Sequence, residues 1–157
     1  MGVATLLTIF NYYGEFIIGY THYVRQSKPA SDEQWTAVCN DFKKFRAAAL
    51  LGKPFPIQRE GDDSSDVLID DECIIFNGIG EDAHETFMLE KAGDGFSFCK
   101  TERKPYDTAV IAVLILANHH APDAWGVSSD GGSGEWQPVL DWMNSTRIGT
   151  YTLPKSI

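Results

Sequence analysis

Most of the features that announce a familiar chemistry are missing from this chain. Its three cysteines, Cys39, Cys73 and Cys99, are odd in number, widely spaced and without a CxxC pair. That argues against a disulfide framework or a zinc ribbon and fits a reducing, cytoplasmic compartment. Each thiol reads as a small buried hydrophobe. No apolar run reaches the roughly 20 residues that a bilayer span needs. The one candidate, Val3–Gly19, is broken at Asn11–Glu15 (NYYGE) and has neither a cationic start nor a small-residue cleavage site. It reads as two short strands, or a strand and a turn, and residues 1–19 as an N-terminal extension. Positive charge is scarce as well. Between Glu60 and Asp94, Lys91 is the only cation among Asp62, Asp63, Asp66, Asp70, Asp71, Glu72, Glu81, Asp82, Glu85 and Glu90. Such a surface repels a phosphate backbone, so direct nucleic-acid binding is not expected. It suits a basic protein partner, a decoy for DNA, or a solvated loop that keeps the protein soluble.

What is present is an ordinary globular composition. The chain has 157 residues, 43% of them hydrophobic and 22% charged, with a formal net charge of −9. That fits a single domain over residues 1–157, too apolar and aromatic to be disordered.

Local patterns place the elements. Tyr20–Arg25 is rich in Tyr, Thr and Val and suits a strand. Ser31 with Gln34 three residues on is a capping box, and Trp35, Val38, Phe42, Phe45, Ala49 and Leu50 then recur at helical spacing. A helix over about Asp32–Leu51 follows, stopped by Gly52 and Pro54. Residues 53–66 read as a loop. Val67–Ile69, Glu72–Phe76, His84–Leu89 and Phe96–Lys100 read as strands, the last two joined into a hairpin by Ala92–Gly95 (AGDG). Pro105 opens a helix whose Val110–Ala117 segment is apolar all round and therefore buried. Trp125–Ser128 reads as an edge strand, and Glu135–Asn144 as a last amphipathic helix. The order mixes hairpins and crossovers. It predicts an α+β domain with a mainly antiparallel sheet and helices packed on one side. A ferredoxin-like split βαβ core with an added strand is one topology that fits.

Catalytic motifs fail on inspection. His84-Glu85-Thr86-Phe87-Met88 begins like HExxH, but Met88 stands where the second metal ligand belongs. Asp62–Asp66 matches DDxxD in letters only. Neither GxGxxG nor a Walker-type loop occurs, and Ser128–Gly134 (SSDGGSG) reads as a plain turn. A Cys99–His84 dyad is offset by about 7 or 13 Å at ~3.3 Å per residue along the proposed hairpin, against a hydrogen-bond reach of roughly 3 Å. His119-His120, at a helix C-terminus, reads as structural. No metal site and no cofactor are expected.

One cluster stands out. Lys100, Arg103 and Lys104 gather at a helix N-terminus, where the dipole favours anions. Either a carboxylate of this chain answers them or a ligand does. With the hairpin register above, His84 and Lys100 share a face, and Thr101, Arg103 and Tyr106 lie just beyond. Lys100, Thr101, Arg103 and Tyr106 are then the candidates for binding a phosphate or carboxylate. His84 and Glu85 are the candidate acid/base groups. The competing reading is an internal salt-bridge network.

Asn77-Gly78-x-Gly80 with His84–Phe87, then Phe98–Thr101 with Arg103–Asp107, then Ser128–Gly131, together resemble a family of small uncharacterised proteins of bacteria and their phages or plasmids. The family pattern is NGxGxxxHETF, FCKTxRKPYD and SSDG. The resemblance covers the last half of the chain, with a weaker echo at Val24–Pro29 and Gln34-Trp35. It implies a bacterial or mobile-genome context and no mechanism. The expectation is an acidic accessory protein acting through a protein partner. A small enzyme or binding domain for an anionic, phosphate- or nucleotide-like molecule is the alternative.

Overall fold

The computed structural model describes residues 8–10, 16–50, 55–59 and 65–157. The NYYGE segment, Glu60, Asp62, Asp63 and much of the 53–66 loop lie outside them. A short hairpin, β1 (Thr8–Phe10) with β2 (Phe16–Ile18), comes first. Then follow β3 (Thr21–Gln26), α1 (Asp32–Ala49), β4 (Leu68–Ile69), β5 (Cys73–Phe76), β6 (Phe87–Glu90), β7 (Phe96–Lys100), α2 (Asp107–His120), β8 (Trp125–Ser129) and α3 (Ser133–Ser145). The class is α+β. The strands after the first hairpin form two antiparallel three-stranded sheets, ordered β7-β3-β8 and β4-β5-β6. The single four-stranded sheet of a ferredoxin-like core does not form among the described residues.

Local chemistry explains the helices. Ser31 Oγ accepts the Gln34 N–H and the Gln34 side chain accepts the Ser31 N–H, so the capping box of α1 is complete. Its Trp35, Val38, Cys39, Phe42, Phe45 and Ala49 face inward at helical spacing. In α2 every residue from Ala109 to Ala117 is buried. This helix packs against α1, α3 and β8 and is the centre of the core. It begins at Asp107 rather than Pro105, because Pro105 and Tyr106 are used in the turn whose Lys104 carbonyl accepts the Asp107 N–H. No helix among the described residues is long and apolar enough to cross a membrane.

The hairpin expected between His84–Leu89 and Phe96–Lys100 is corrected by the structure. β7 pairs with β3, Thr21 opposite Lys100 and Arg25 opposite Phe96, while β6 pairs with β5. The reason lies in Gln26. Its amide nitrogen donates to the Lys91 carbonyl (2.7 Å), its amide oxygen accepts the Gly93 N–H (2.6 Å), and its backbone N–H donates to the Gly95 carbonyl. The turn's polar groups are thus satisfied by β3, and the turn carries the chain from one sheet to the other. His84 also falls outside the strand. Asn77 holds it in a loop, donating to the His84 carbonyl and Thr86 Oγ1 and accepting the His84 and Gly78 N–H groups. Gly78 is required there, since a Cβ would stand 2.2 Å from the Asp82 carbonyl oxygen.

Register sorts the β7-β3-β8 sheet into two faces. Cys99, His22 and Ser129 form one cross-strand row on the inner face, with Val24 and Val127 in the next. Phe98, Tyr23 and Ser128 form a row on the outer face. Leu114→Ala, at a fully buried α2 position, should cost about 2–5 kcal/mol. Leu50→Ala, 80% exposed, should stay within about 0.5 kcal/mol of the parent. Urea denaturation of both variants checks the contrast.

Candidate functional site

The cations ahead of α2 are answered by the chain itself. Arg103 directs Nε and one terminal nitrogen onto Glu135 Oε1 at 3.0 and 2.7 Å, and its guanidinium lies 4.1 Å above the Tyr20 ring. Lys100 Nζ stands 3.9 Å from Glu102, and Lys104 Nζ donates to the Glu81 carbonyl. His84 Nδ1 donates to the Lys100 carbonyl at 2.7 Å, and its Nε2 lies 3.4 Å from Glu102 Oε2. Glu85 Oε2 accepts the Lys100 N–H, while its carbonyl accepts the Tyr106 hydroxyl at 2.7 Å. Tyr106 and Thr101 are fully buried, and burial pushes the Tyr106 phenol well above its usual range. The structure therefore gathers His84, Glu85, Lys100 and Tyr106 around two backbone carbonyls. It turns Arg103 away from them, toward α3.

The elbow that makes this turn is strained. Glu102 and Arg103 are consecutive non-glycine residues at φ 50° and 57°, a conformation costing roughly 1–2 kcal/mol per residue. It is held from both sides. The Thr101 and Glu102 N–H groups share the Tyr20 carbonyl, and the Thr101 hydroxyl donates to Asp107 at 2.6 Å. Arg103 is clamped on Glu135 as above.

A second constellation lies directly beneath, built from residues the motif reading did not combine. His22, 1% exposed, places Nε2 2.6 Å from Asp107 Oδ1 and Nδ1 2.8 Å from Ser129 Oγ. Ser129 Oγ also accepts the Gly131 N–H at 3.0 Å and the Trp136 indole N–H at 3.4 Å. Two of these residues fall inside recognisable segments, Asp107 in RKPYD and Ser129 in SSDG. His22 sits alone in a strand and carries no motif.

A third feature is the gap between β6 and β7. The Gln26–Gly95 bond fixes the phase of the β3 ladder, so the N–H and C=O groups of Phe96, Phe98 and Lys100 point away from β3. Those of Lys100 are taken by Glu85. Likewise the Lys91–Glu72 bond turns the backbone groups of Met88 and Glu90 away from β5. No ladder joins the two edges among the described residues. A slot of about 150 Å³ lies between them, lined in part by Met88, Glu90, Asp94, Phe96 and Ser97. Phe96, Phe98 and Met88 are 53%, 58% and 46% exposed.

Another polar cluster fastens the C-terminal segment. Asp41 Oδ2 accepts from both His120 Nε2 (2.8 Å) and the Tyr151 hydroxyl (2.9 Å). Among the described residues no three His, Cys, Asp or Glu side chains are grouped to hold a metal ion. The chain matches no family model, no curated protein and no solved structure, so function has to be argued from its own residues.

Burial pushes the Cys99 thiol up to about 12 and the Cys39 thiol up to about 11. At pH 8 only about one in ten thousand Cys99 thiols is ionised. Iodoacetamide should therefore modify neither residue in the native protein and both in urea, as peptide mass mapping would show.

Proposed function

We propose that this is an accessory protein that captures an extended, basic segment of a partner protein as an added strand along β7. The observation that carries the reading is the outward-facing N–H and C=O groups of Phe96 and Phe98, flanked by exposed rings and without a neighbouring strand among the described residues. An exposed edge with this character is a template for strand addition, in which main-chain bonds give affinity and alternating side chains give selectivity.

Charge selects the occupant. Glu90 and Asp94 border the slot, within an acidic stretch of a chain carrying −9. A strand whose outward side carries both apolar residues and a lysine or arginine sets the apolar groups on Phe96, Phe98 and Met88 and the cation beside Glu90, which shares the exposed face of Met88 in β6. A second copy of this chain brings the same negative charge and is repelled. The outer face extends the surface through a depression of about 600 Å³ whose lining includes Tyr23, Arg25, Phe96, Gly126 and Ser128. Stacking of Tyr23 on Phe96, centroids 6.3 Å apart, keeps the rings in place.

Phe98→Pro gives a clean test, because the Phe98 N–H takes no part in the β3 ladder and its loss blocks only the outer edge. Fluorescence anisotropy with a short labelled peptide of mixed valine and lysine, with both residue types on the same strand face, should show binding to the parent protein. Phe98→Pro should weaken it by about tenfold or more, equal to about 1.4 kcal/mol, and a valine–glutamate peptide should not bind. Equal affinity of parent and Phe98→Pro, or a preference for the glutamate peptide, contradicts the reading.

A further inference from the structure

The outer face of the β7-β3-β8 sheet offers a small-molecule site that stands whether or not β7 captures a strand. We infer that the depression over β3 and β8 binds a free mononucleotide. Its phosphate lies between Arg25 and Lys155, and its base on the exposed ring of Phe96.

Charge points to the ligand. In a chain of formal net charge −9, Lys28, Arg46, Lys91 and Arg103 each meet a carboxylate. Arg25 and Lys155 do not. Both line the depression of about 600 Å³, and neither donates to an acceptor among the described residues. Arg25 rests only against Phe96, its guanidinium carbon 5.7 Å from the ring centre, which leaves its planar set of N–H donors available. The carboxylates that follow the lining residues Pro122 and Ser128 are already engaged. Asp123 is held by Lys28 and Gln34, and Asp130 by the Tyr23 hydroxyl and the Thr21 N–H. Two unanswered cations in one cavity suit a phosphate dianion.

Local structure explains why these groups surround an open space. Register sets Arg25 between Phe96 of β7 and Gly126 of β8 on the outer face. A Cβ built on Gly126 meets only the Arg25 carbonyl oxygen, at 3.8 Å. The floor is therefore open on one side of Arg25 and aromatic on the other. The far wall is the turn Pro154–Ile157, closed by the Ile157 N–H on the Pro154 carbonyl. The Ser156 hydroxyl donates to the Val127 carbonyl and pins that turn to β8, which brings Lys155 to the rim.

Size and polarity narrow the choice. The volume falls within the range of small-molecule sites, about 300–1,000 Å³, and a bare inorganic anion would leave most of it empty. Phe96 is 53% exposed and steadied by Tyr23, so a flat base can stack on it. The Asn118 amide and Ser128 hydroxyl also line the cavity without partners among the described residues, and can hydrogen-bond a sugar. A nucleic-acid strand is disfavoured, because its further phosphates would run over an acidic surface.

The intact nitrogen-15-labelled chain would be titrated with adenosine, cytidine, guanosine and uridine monophosphates and followed by amide proton–nitrogen spectra. At least one should bind with a Kd of about 1 mM or lower. It should shift the amides of Arg25, Phe96, Gly126 and Ser128 and leave those of Lys100–Asp107 in place. The matching nucleoside and inorganic phosphate should each bind about tenfold more weakly or worse. Arg25→Gln and Lys155→Gln, both at exposed positions, should each weaken binding by about tenfold. Gly126→Val suits an exposed strand position and fills the open floor, so it should abolish binding in an otherwise native spectrum. If that variant fails to fold, the two charge variants decide. No binding of any of the four nucleotides, equal binding of inorganic phosphate or acetate, or unchanged affinity in both charge variants overturns the assignment.

Discussion

One carboxylate holds this structure in register. Asp107 opens α2, where the helix dipole favours an anion, and accepts from His22 of β3 and Thr101 of the elbow. Through the far nitrogen of His22 it reaches Ser129 of β8. A strand, a loop, a helix and a second strand meet on a few bonds of 2.6–2.8 Å. Because the ring is almost wholly buried, losing one partner leaves a polar group unsatisfied, at a cost of about 1–3 kcal/mol.

The apolar core and the polar junction depend on one another. Nine consecutive buried residues fix the axis of α2 among α1, α3 and β8, and that axis sets where Asp107 stands. The strained pair Glu102–Arg103 is the adjustment that lets β7 end and α2 begin within a few residues. Arg103 stabilises it by joining Glu135 of α3 while covering Tyr20. Burial in turn pushes the Tyr20 phenol up to about 12, so it stays neutral beside Asp107 and Glu135. The same sheet presents opposite chemistry on its two sides: a sealed polar row inside and exposed aromatic rings outside.

Elements governed by local rules were legible from the residues. The Ser31–Gln34 box fixed the start of α1, the unbroken apolar run of α2 announced its burial, and Phe96–Lys100 is a strand with the expected limits. The α+β class followed. What was hidden depended on distant partners. AGDG is a good hairpin turn in isolation, yet Gln26, more than sixty residues upstream, satisfies its polar groups and splits the expected hairpin between two sheets. The serine–histidine contact arises because Ser129 falls opposite His22 in the β3–β8 register, across 107 residues. No spacing rule reveals such a pair. The cationic cluster ahead of α2, and its conflict with the helix dipole, are plain from the residues alone. Its main answer, Glu135, lies 32 residues on, in a helix whose placement only the tertiary packing determines.

The protonation of His22 tests the central claim most directly. A multiple-bond proton–nitrogen correlation spectrum of the intact protein, labelled with nitrogen-15 and recorded at neutral pH, distinguishes the two ring nitrogens. The account predicts a single slowly exchanging form with a hydrogen on Nε2, facing Asp107. A bare Nε2 with the hydrogen on Nδ1 alone, or a ring averaging between tautomers, would mean that the carboxylate does not organise this junction.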